Sequence, residues 1–225
     1  MSTPAAPRFQ VVLLAFDQME ALDFAGPFEV FTTAARVAAR MQAEAGQPAH
    51  PAPLFGVTTV AHSLSPVTAR AGLRVLPDLD FATHLAQGPR VDLLVVPGGV
   101  VDAAVACPHT LDWVRRVHAA APFTASVCTG AFILAAAGVL QGKVTTHWED
   151  QAELRQRFPA LEVVGGVQWV DQGRVITSAG ISAGMGMSLH RVATLAQSAQ
   201  LVGLDGLALA QRTARQMEYG WQPQP

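Results

Sequence analysis

The residues with the clearest chemical potential are Cys128-Thr129-Gly130, in the middle of FTASVCTGAFILAAAGVL, Phe123 to Leu140. Phe123 to Val127 is short, apolar and preceded by Pro122, the pattern of a buried strand. Gly130 to Ala137 is rich in helix formers and stops at Gly138. Cys128 falls at the joint. A thiol there faces the unpaired amides and the positive end of the following helix, and both favour the thiolate, so the position predicts a nucleophile. By residue type alone, a lone cysteine in an apolar segment is more often a small buried hydrophobe. The segment is long enough to raise a membrane span, but Ser126, Cys128, Thr129 and Gly130 interrupt it at its centre, where a turn explains them better than lipid. The choice between nucleophile and core residue rests on the neighbours.

Those neighbours recur at one kind of place, just past a strand. Arg8 to Phe16, built on VVLLAF, is too continuously apolar for a sheet with one wet face and is read as a central parallel strand. Asp17 and Asp23 lie in the loop after it, with Gly26-Pro27 opening a helix. Leu54 to Val60 and Gly72 to Leu76 are read as further strands. VDLLVV, Val91 to Val96, is another buried strand and ends in Pro97-Gly98-Gly99, where backbone amides stand free of side chains. Thr110 to Ala120 is helical. KVTTH, Lys143 to His147, is a short strand that delivers His147 and Trp148, and a helix runs from about Glu149 to Arg157. VVGGVQWV and RVITS form a hairpin around Asp171-Gln172-Gly173, followed by Gly180. From Ser182 the chain is helical to about Tyr219, divided near Gly203 to Gly206. Strands alternating with helices predict an α/β fold with a mostly parallel sheet covered by helices on both faces. In such sheets ligands bind at the carboxyl ends of the strands. Asp23, Gly98, Gly99, Cys128, Thr129, Gly130, His147, Trp148 and Gly180 all fall on that rim.

Composition narrows the class. With 15 Lys+Arg against 17 Asp+Glu and half of its 225 residues hydrophobic, the chain has the profile of a globular protein with a sizeable core, and no basic patch for nucleic acid. No linker divides it, so a single domain over 1–225 is expected, with residues 1–7 a disordered tail. MSTPAAPRFQ lacks a cationic start followed by an apolar core, and two cysteines make no disulfide framework, so a reducing cytoplasm is expected. No cofactor is implied. Cys107 beside His109 is too little for a metal site, and no metal cluster appears elsewhere.

LDFAGPFEVF, VPGG, SVCTGAFILAAAGVLQGKVTTHW and ITSAGISAGMGMSLH together resemble the ThiJ/PfpI superfamily over nearly the whole chain. SVCTG followed by TTHW, with LDxxGP near the N-terminus, is similar to the isonitrile hydratase branch and to the amidase-like domains of AraC-type regulators. The resemblance implies a flavodoxin-like, class I glutamine amidotransferase-like α/β sandwich, a homodimer, and a cysteine on a strained elbow. It places the nucleophile at Cys128, a functional threonine at Thr129 and the essential acid at Asp23. The implied reaction hydrates a small neutral isonitrile to an N-substituted formamide through a thioimidate. An acid beside a thiolate, partly buried, is expected to have a raised pKa and to donate a proton. Amides of Gly99 and Thr129 are expected to hold developing negative charge, and Phe24, Phe132 and Trp148 to form apolar walls.

Other readings stand beside these. Asp23 also fits a helix cap, Asp17 a solvated turn, and Thr145 and Thr146 ordinary strand residues. His147 is either catalytic or shapes the pocket, and Trp148 is mainly packing. Cys107 is structural or exposed. Two features depart from the resemblance. Gly186 stands where many relatives carry an acid, which alters the pocket floor or a dimer contact. The Ala43 to Pro53 connector is longer than the corresponding turn and changes substrate access. Another superfamily activity, glyoxalase-type or amide-hydrolysing, and a non-enzymatic small-molecule or redox sensing domain are the competing functions. Thr129 in place of a histidine after the cysteine counts against a protease-like branch.

Overall fold

The protein is seen in a computed structural model that describes residues 6–48 and 52–223. The expected tail and the 43–53 connector therefore fall partly outside the described residues.

Strand β1 (Phe9–Leu14) leads into helix α1 (Ala21–Glu44). The helix begins six residues before Pro27, so Gly26-Pro27 do not open it, and Asp23 lies in its first turn rather than in a loop. An acid is favourable there because the helix N-terminus is positive, although Pro27 has no N–H to return to the carbonyl four residues earlier. The helix also runs on to Glu44, which shortens the connector. Next come β2 (Phe55–Ala61), β3 (Val67–Thr68), β4 (Arg74–Val75), β5 (Leu79–Asp80) and α2 (Phe81–Gln87), then β6 (Leu93–Val96), α3 (Asp102–Ala106) and α4 (Pro108–Ala120). Gly72 to Leu76 does not join the main sheet: β4 pairs antiparallel with β3 in a separate ribbon. The central unit is β7 (Phe123–Val127) and α5 (Gly130–Ala136). Beyond it lie β8 (Lys143–Val144), α6 (Gln151–Arg157), β9 (Glu162–Val163), β10 (Trp169–Asp171), β11 (Val175–Ser178), α7 (Ser182–Ala199) and α8 (Gly206–Gln216). Strand β8 ends before Thr145 and, among the described residues, pairs with β9 alone, so His147 does not end a strand of the main sheet.

Among the described residues the main sheet has the order β10-β11-β7-β6-β1-β2-β5 and is parallel except for the β10–β11 hairpin. Alternation along β1 shows why Val11 to Leu14 are all apolar. Val11 and Leu13 pack on one face with Phe31 of α1, Leu189 and Val192 of α7 and Leu209 of α8. Val12 and Leu14 pack on the other with Trp113 of α4, Ile133 and Leu134 of α5 and Leu154 of α6. Both faces are covered, so Val11 to Leu14 are all buried, and only Gln10 near the start is partly exposed. The fold is the α/β sandwich that the alternating elements predict. Among the described residues no helix is long and apolar enough to cross a membrane.

Candidate active site

Parallel order brings the loops after β1, β6, β7 and β11 to one edge of the sheet, and there the chain makes a sharp elbow. Cys128 has φ +55, a left-handed conformation that costs a side-chain-bearing residue about 1–2 kcal/mol. Its neighbours hold it there. The Cys128 N–H is shared between the carbonyls of Ser178 (3.2 Å) and Ala179 (3.3 Å), and its own carbonyl accepts from the Thr146 hydroxyl at 2.8 Å. Thr146 and Thr145 are thus not ordinary strand residues. Thr145 takes its place through an N–H to Thr177 Oγ1 bond of 2.8 Å and a hydroxyl bond to the Val164 carbonyl. Gly130 lets the elbow touch the next loop, since a Cβ there would lie 2.3 Å from the Val96 carbonyl oxygen.

Asp23 is completely buried beneath this elbow. Its Oδ2 accepts from the Gly98 amide and its Oδ1 from the Ile181 amide, both at 3.1 Å, and the Cys128 thiol is in hydrogen-bond contact with the same carboxylate. It is not a cap: the residue before α1 is Glu20, and no side chain caps that end. Gly98 is required by the close approach, because a Cβ would meet Thr129 Oγ1 at 2.6 Å and Asp23 Oδ2 at 2.9 Å. Thr129 locks to the opposite loop, its hydroxyl accepting from the Gly99 N–H and donating to the Gly99 carbonyl, each at 2.8 Å.

This geometry corrects the expected charge states. Burial raises the Asp23 carboxyl from 3.8 to about 6, as expected in direction, with the bonds from Gly98, Cys128 and Ile181 opposing and the charge of Glu20 assisting. Cys128, however, is not an acidified thiol. Burial first, and the Asp23 charge second, push it up to about 12, against the opposing amide and hydroxyl of Thr129. The two titrate as a pair that holds one proton between those values. At neutral pH that proton rests on sulfur and the carboxylate is ionised, the reverse of the sequence expectation. A seven-residue helix offers too little to outweigh a buried negative neighbour. Cys107 is the more acidic thiol. Half-buried at the head of the 13-residue α4, it is lowered by the Thr110 hydroxyl and by the amides of Thr110 and His109.

The amides are also differently employed. Gly99 N–H is committed to Thr129 and Gly98 N–H to Asp23, so of the two expected anion holders only the Thr129 amide faces the sulfur. Above Cys128 opens a cleft of about 200 Å³ lined by Glu20, Arg70, Gly99, Thr129, His147, Glu149, Asp150 and Ile181. Its walls are polar. Phe24 and Phe132 are buried in the two cores, and Trp148 is 72% exposed, tilted against the His147 ring. His147 does reach the cleft, with Nδ1 3.3 Å from Asp150 Oδ2 and 3.7 Å from Glu149 Oε2. Gly180 makes room for its ring, as a Cβ there would lie 2.2 Å from His147 Cδ2. Burial raises the Asp150 carboxyl.

Sequence reasoning missed Glu20, Arg70, Glu149, Asp150 and Ile181. Glu149-Asp150 directly follow TTHW and were open to notice. Arg70 arrives from an irregular turn with Ala71 at φ +62, and Ile181 adopts φ +52; neither residue type signals its conformation. Asp17 is a turn residue after all, accepting from the Thr68 amide at 2.8 Å. Gly186 lies away from the cleft lining, in α7, where a Cβ would meet the Trp169 ring at 3.2 Å and the Gly186 carbonyl accepts from Trp221 Nε1. A larger side chain there would press on the β10 tryptophan. Among the described residues no cluster of His, Cys, Asp or Glu is arranged to hold a metal.

Known proteins share this sequence and fold. The chain is 35% identical over 216 residues to isonitrile hydratase from Pseudomonas putida, covering 95% of this chain and 80% of that one. A ThiJ/PfpI family protein from Pseudomonas syringae superposes with a TM-score of 0.74 at 30% identity, over 96% of this chain and 76% of that one. An AraC family transcriptional regulator from Pseudomonas putida shares the fold at a TM-score of 0.68 and 21% identity, over 93% of this chain and 99% of the other. The sequence profile of the DJ-1/PfpI family matches residues 9–194, and the chain belongs to that family.

Proposed function

We propose that the protein is an enzyme that hydrates a small isonitrile to an N-substituted formamide, with Cys128 as nucleophile and Asp23 as the proton carrier. The observation that carries this reading is the Cys128 thiol hydrogen-bonded to a fully buried carboxylate at a strained elbow. The similarity to isonitrile hydratase supports it. Sulfur bonds to the terminal isonitrile carbon while the thiol proton passes to Asp23, and Asp23 then delivers it to that carbon. The product is the thioimidate R–N=CH–S–Cys128. Asp23 takes a proton from water as the hydroxyl adds to the same carbon and passes it to nitrogen; the hydroxyl proton then returns through Asp23 to sulfur as the C–S bond breaks, and R–NH–CHO leaves the restored thiol. The Thr129 amide faces the sulfur and helps carry charge as it develops.

The cleft of about 200 Å³ is below the ordinary range for ligand pockets and favours a compact substrate. His147, Gly98, Gly99, Gly130 and Gly180 act in this scheme by shaping the site, and Trp148 by covering His147. Incubation with methyl or cyclohexyl isonitrile should yield the N-formamide in wild type and none in Cys128→Ala. Methylglyoxal consumption in place of formamide would instead support the glyoxalase-type reading. A second reading, ligand sensing, is favoured by the AraC-type neighbour and requires saturable binding without turnover in the same assay. We further propose one domain over the whole chain, a homodimer and a reducing cytoplasm. A monomer by sedimentation at micromolar concentration with full activity would remove the dimer.

A further inference from the structure

The charges around the cleft are unequal. Among the described residues Arg70 is the one guanidinium in its lining, and Nη1 lies 3.6 Å from Glu20 Oε2, so its charge is matched by an acid of the same lining. In the same lining Glu149 and Asp150 share, among the described residues, the one ion-pair partner His147 Nδ1, which has at most one proton to donate. The side chain of Glu149 is mostly exposed and that of Asp150 one-third exposed, so both face whatever enters. The buried Asp23 carboxylate lies against Cys128 of the same lining. The field of this wall reaches the nucleophile, since the charge of Asp150 is among the influences that disfavour the Cys128 thiolate. A narrow cleft with low-dielectric walls concentrates such a field at its mouth.

We propose that Glu149 and Asp150 make the cleft selective for charge, so that the preferred substrate carries a cationic group, such as an ammonium, beside its electrophilic carbon, and anionic analogues are excluded. The proposal deepens the hydratase reading and rests on it for the identity of the electrophile. The selectivity itself belongs to Cys128 and the two acids and is measured without turnover. A cation entering the cleft offers Glu149 and Asp150 a further partner, whereas an anion meets Arg70 only by competing with Glu20. That asymmetry predicts discrimination of about tenfold or more, the lower end of what charged clefts achieve.

The test uses the full chain with Cys107→Ser, so that Cys128 is the thiol that reacts. Ethylammonium, ethyl and ethylsulfonate methanethiosulfonates are applied at low salt. Each forms a Cys128–S–S–R disulfide and releases methanesulfinate, and each rate is divided by that of the same reagent with 2-mercaptoethanol. The normalised ammonium rate should exceed the sulfonate rate by at least about tenfold and fall towards it in high salt. Glu149→Gln, which leaves the His147–Asp150 contact in place, should reduce the ratio, and Glu149→Gln with Asp150→Asn should reduce it at least about threefold further, towards the residual preference set by Asp23. A wild-type ratio near one, or a ratio untouched in a folded double variant, would overturn the proposal. Isonitriles bearing an ammonium or a carboxylate form the second arm, and kcat/KM should follow the same order. If the labelling ratio holds while no isonitrile is hydrated, the hydratase reading fails and the charge selectivity stands.

Discussion

Replacing Asp23 by asparagine separates the buried charge from the buried shape. In the folded protein the carboxyl has a pKa of about 6 against an ordinary 3.8, which corresponds to about 3 kcal/mol between the two protonation states. The sign follows from which state holds the proton more tightly. Between the two values the folded chain keeps a proton that the unfolded chain has lost, so this stabilisation is complete below pH 3.8 and disappears as pH rises through 6. At neutral pH wild type therefore carries an ionised, fully buried acid at its own expense. Asparagine removes the charge but accepts from only one of the Gly98 and Ile181 amides, leaving the other facing an NH2 group at a cost of about 1–3 kcal/mol. The two effects nearly cancel at pH 7. At pH 4 only the lost hydrogen bond remains, and the variant is the less stable protein. Urea unfolding at fixed protein concentration, stepped from pH 4 to 7.5, should show the wild-type minus variant difference shrinking by about 3 kcal/mol. The other carboxylates cancel in that difference. Parallel pH profiles for the two proteins would refute the raised carboxyl, and with it the one-proton pair.

Other outcomes follow from the same geometry. Hydration by Asp23→Asn should fall by about 10²–10⁴-fold, whereas wild-type activity should decline on the acid side with an apparent pKa near 6, as the carboxylate that takes the thiol proton is lost. Alkylation against pH, followed by peptide mapping, should find Cys107 titrating below an ordinary thiol and Cys128 near 12. In Asp23→Asn the Cys128 midpoint should drop because its negative neighbour is gone. Gly130→Ala should destabilise by about 1–3 kcal/mol or more in thermal or urea unfolding, since its methyl would collide with the Val96 carbonyl in a backbone contact that has no rotamer to yield. Thr129→Val keeps the side-chain shape but removes both hydroxyl bonds to Gly99, and should cost roughly 1–3 kcal/mol together with activity.

The fold was legible wherever burial on both faces made a strand apolar over several successive residues, as in Val11 to Leu14 of β1 and in β6, and wherever a long helix had a stop such as Gly203 to Gly206. It was illegible where pairing is local. Nothing in Arg74–Val75 or Lys143–Val144 distinguishes a two-residue ribbon from a strand of the main sheet, because both are short and β-branched. The start of α1 was misplaced because Pro27 satisfies the rule for a first-turn proline equally well from inside the helix. At the site, Cys128, Asp23, Thr129 and the glycines could be named from their place after strands, and the structure brings them together. Their ionisation could not. A thiol before a helix and a thiol pressed on a buried carboxylate have the same sequence neighbours, and only the β1–β6–β7 order puts Asp23 against Cys128.

Why the strain and the buried charge coincide follows from that order. At φ +55 Cys128 has its sulfur on the Asp23 carboxylate in the first turn of α1. The elbow costs about 1–2 kcal/mol and the ionised acid about 3 kcal/mol, a large share of the 5–15 kcal/mol by which a native protein is ordinarily stable. Such a cost persists only where the surrounding structure overdetermines it, and here it does so from four directions. Ser178 and Ala179 hold the Cys128 N–H, Thr146 holds its carbonyl, Thr129 clasps Gly99, and Gly98 and Ile181 hold the acid. A packing residue needs none of this, since a small hydrophobe fills the same space without strain or charge. A thiol that must lose its proton in the act of bonding to carbon needs a base already in contact, fixed and dry. The arrangement meets that need at the expense of stability, which is why the carboxyl value near 6 that ends the pH dependence of folding should also set the acid limb of turnover.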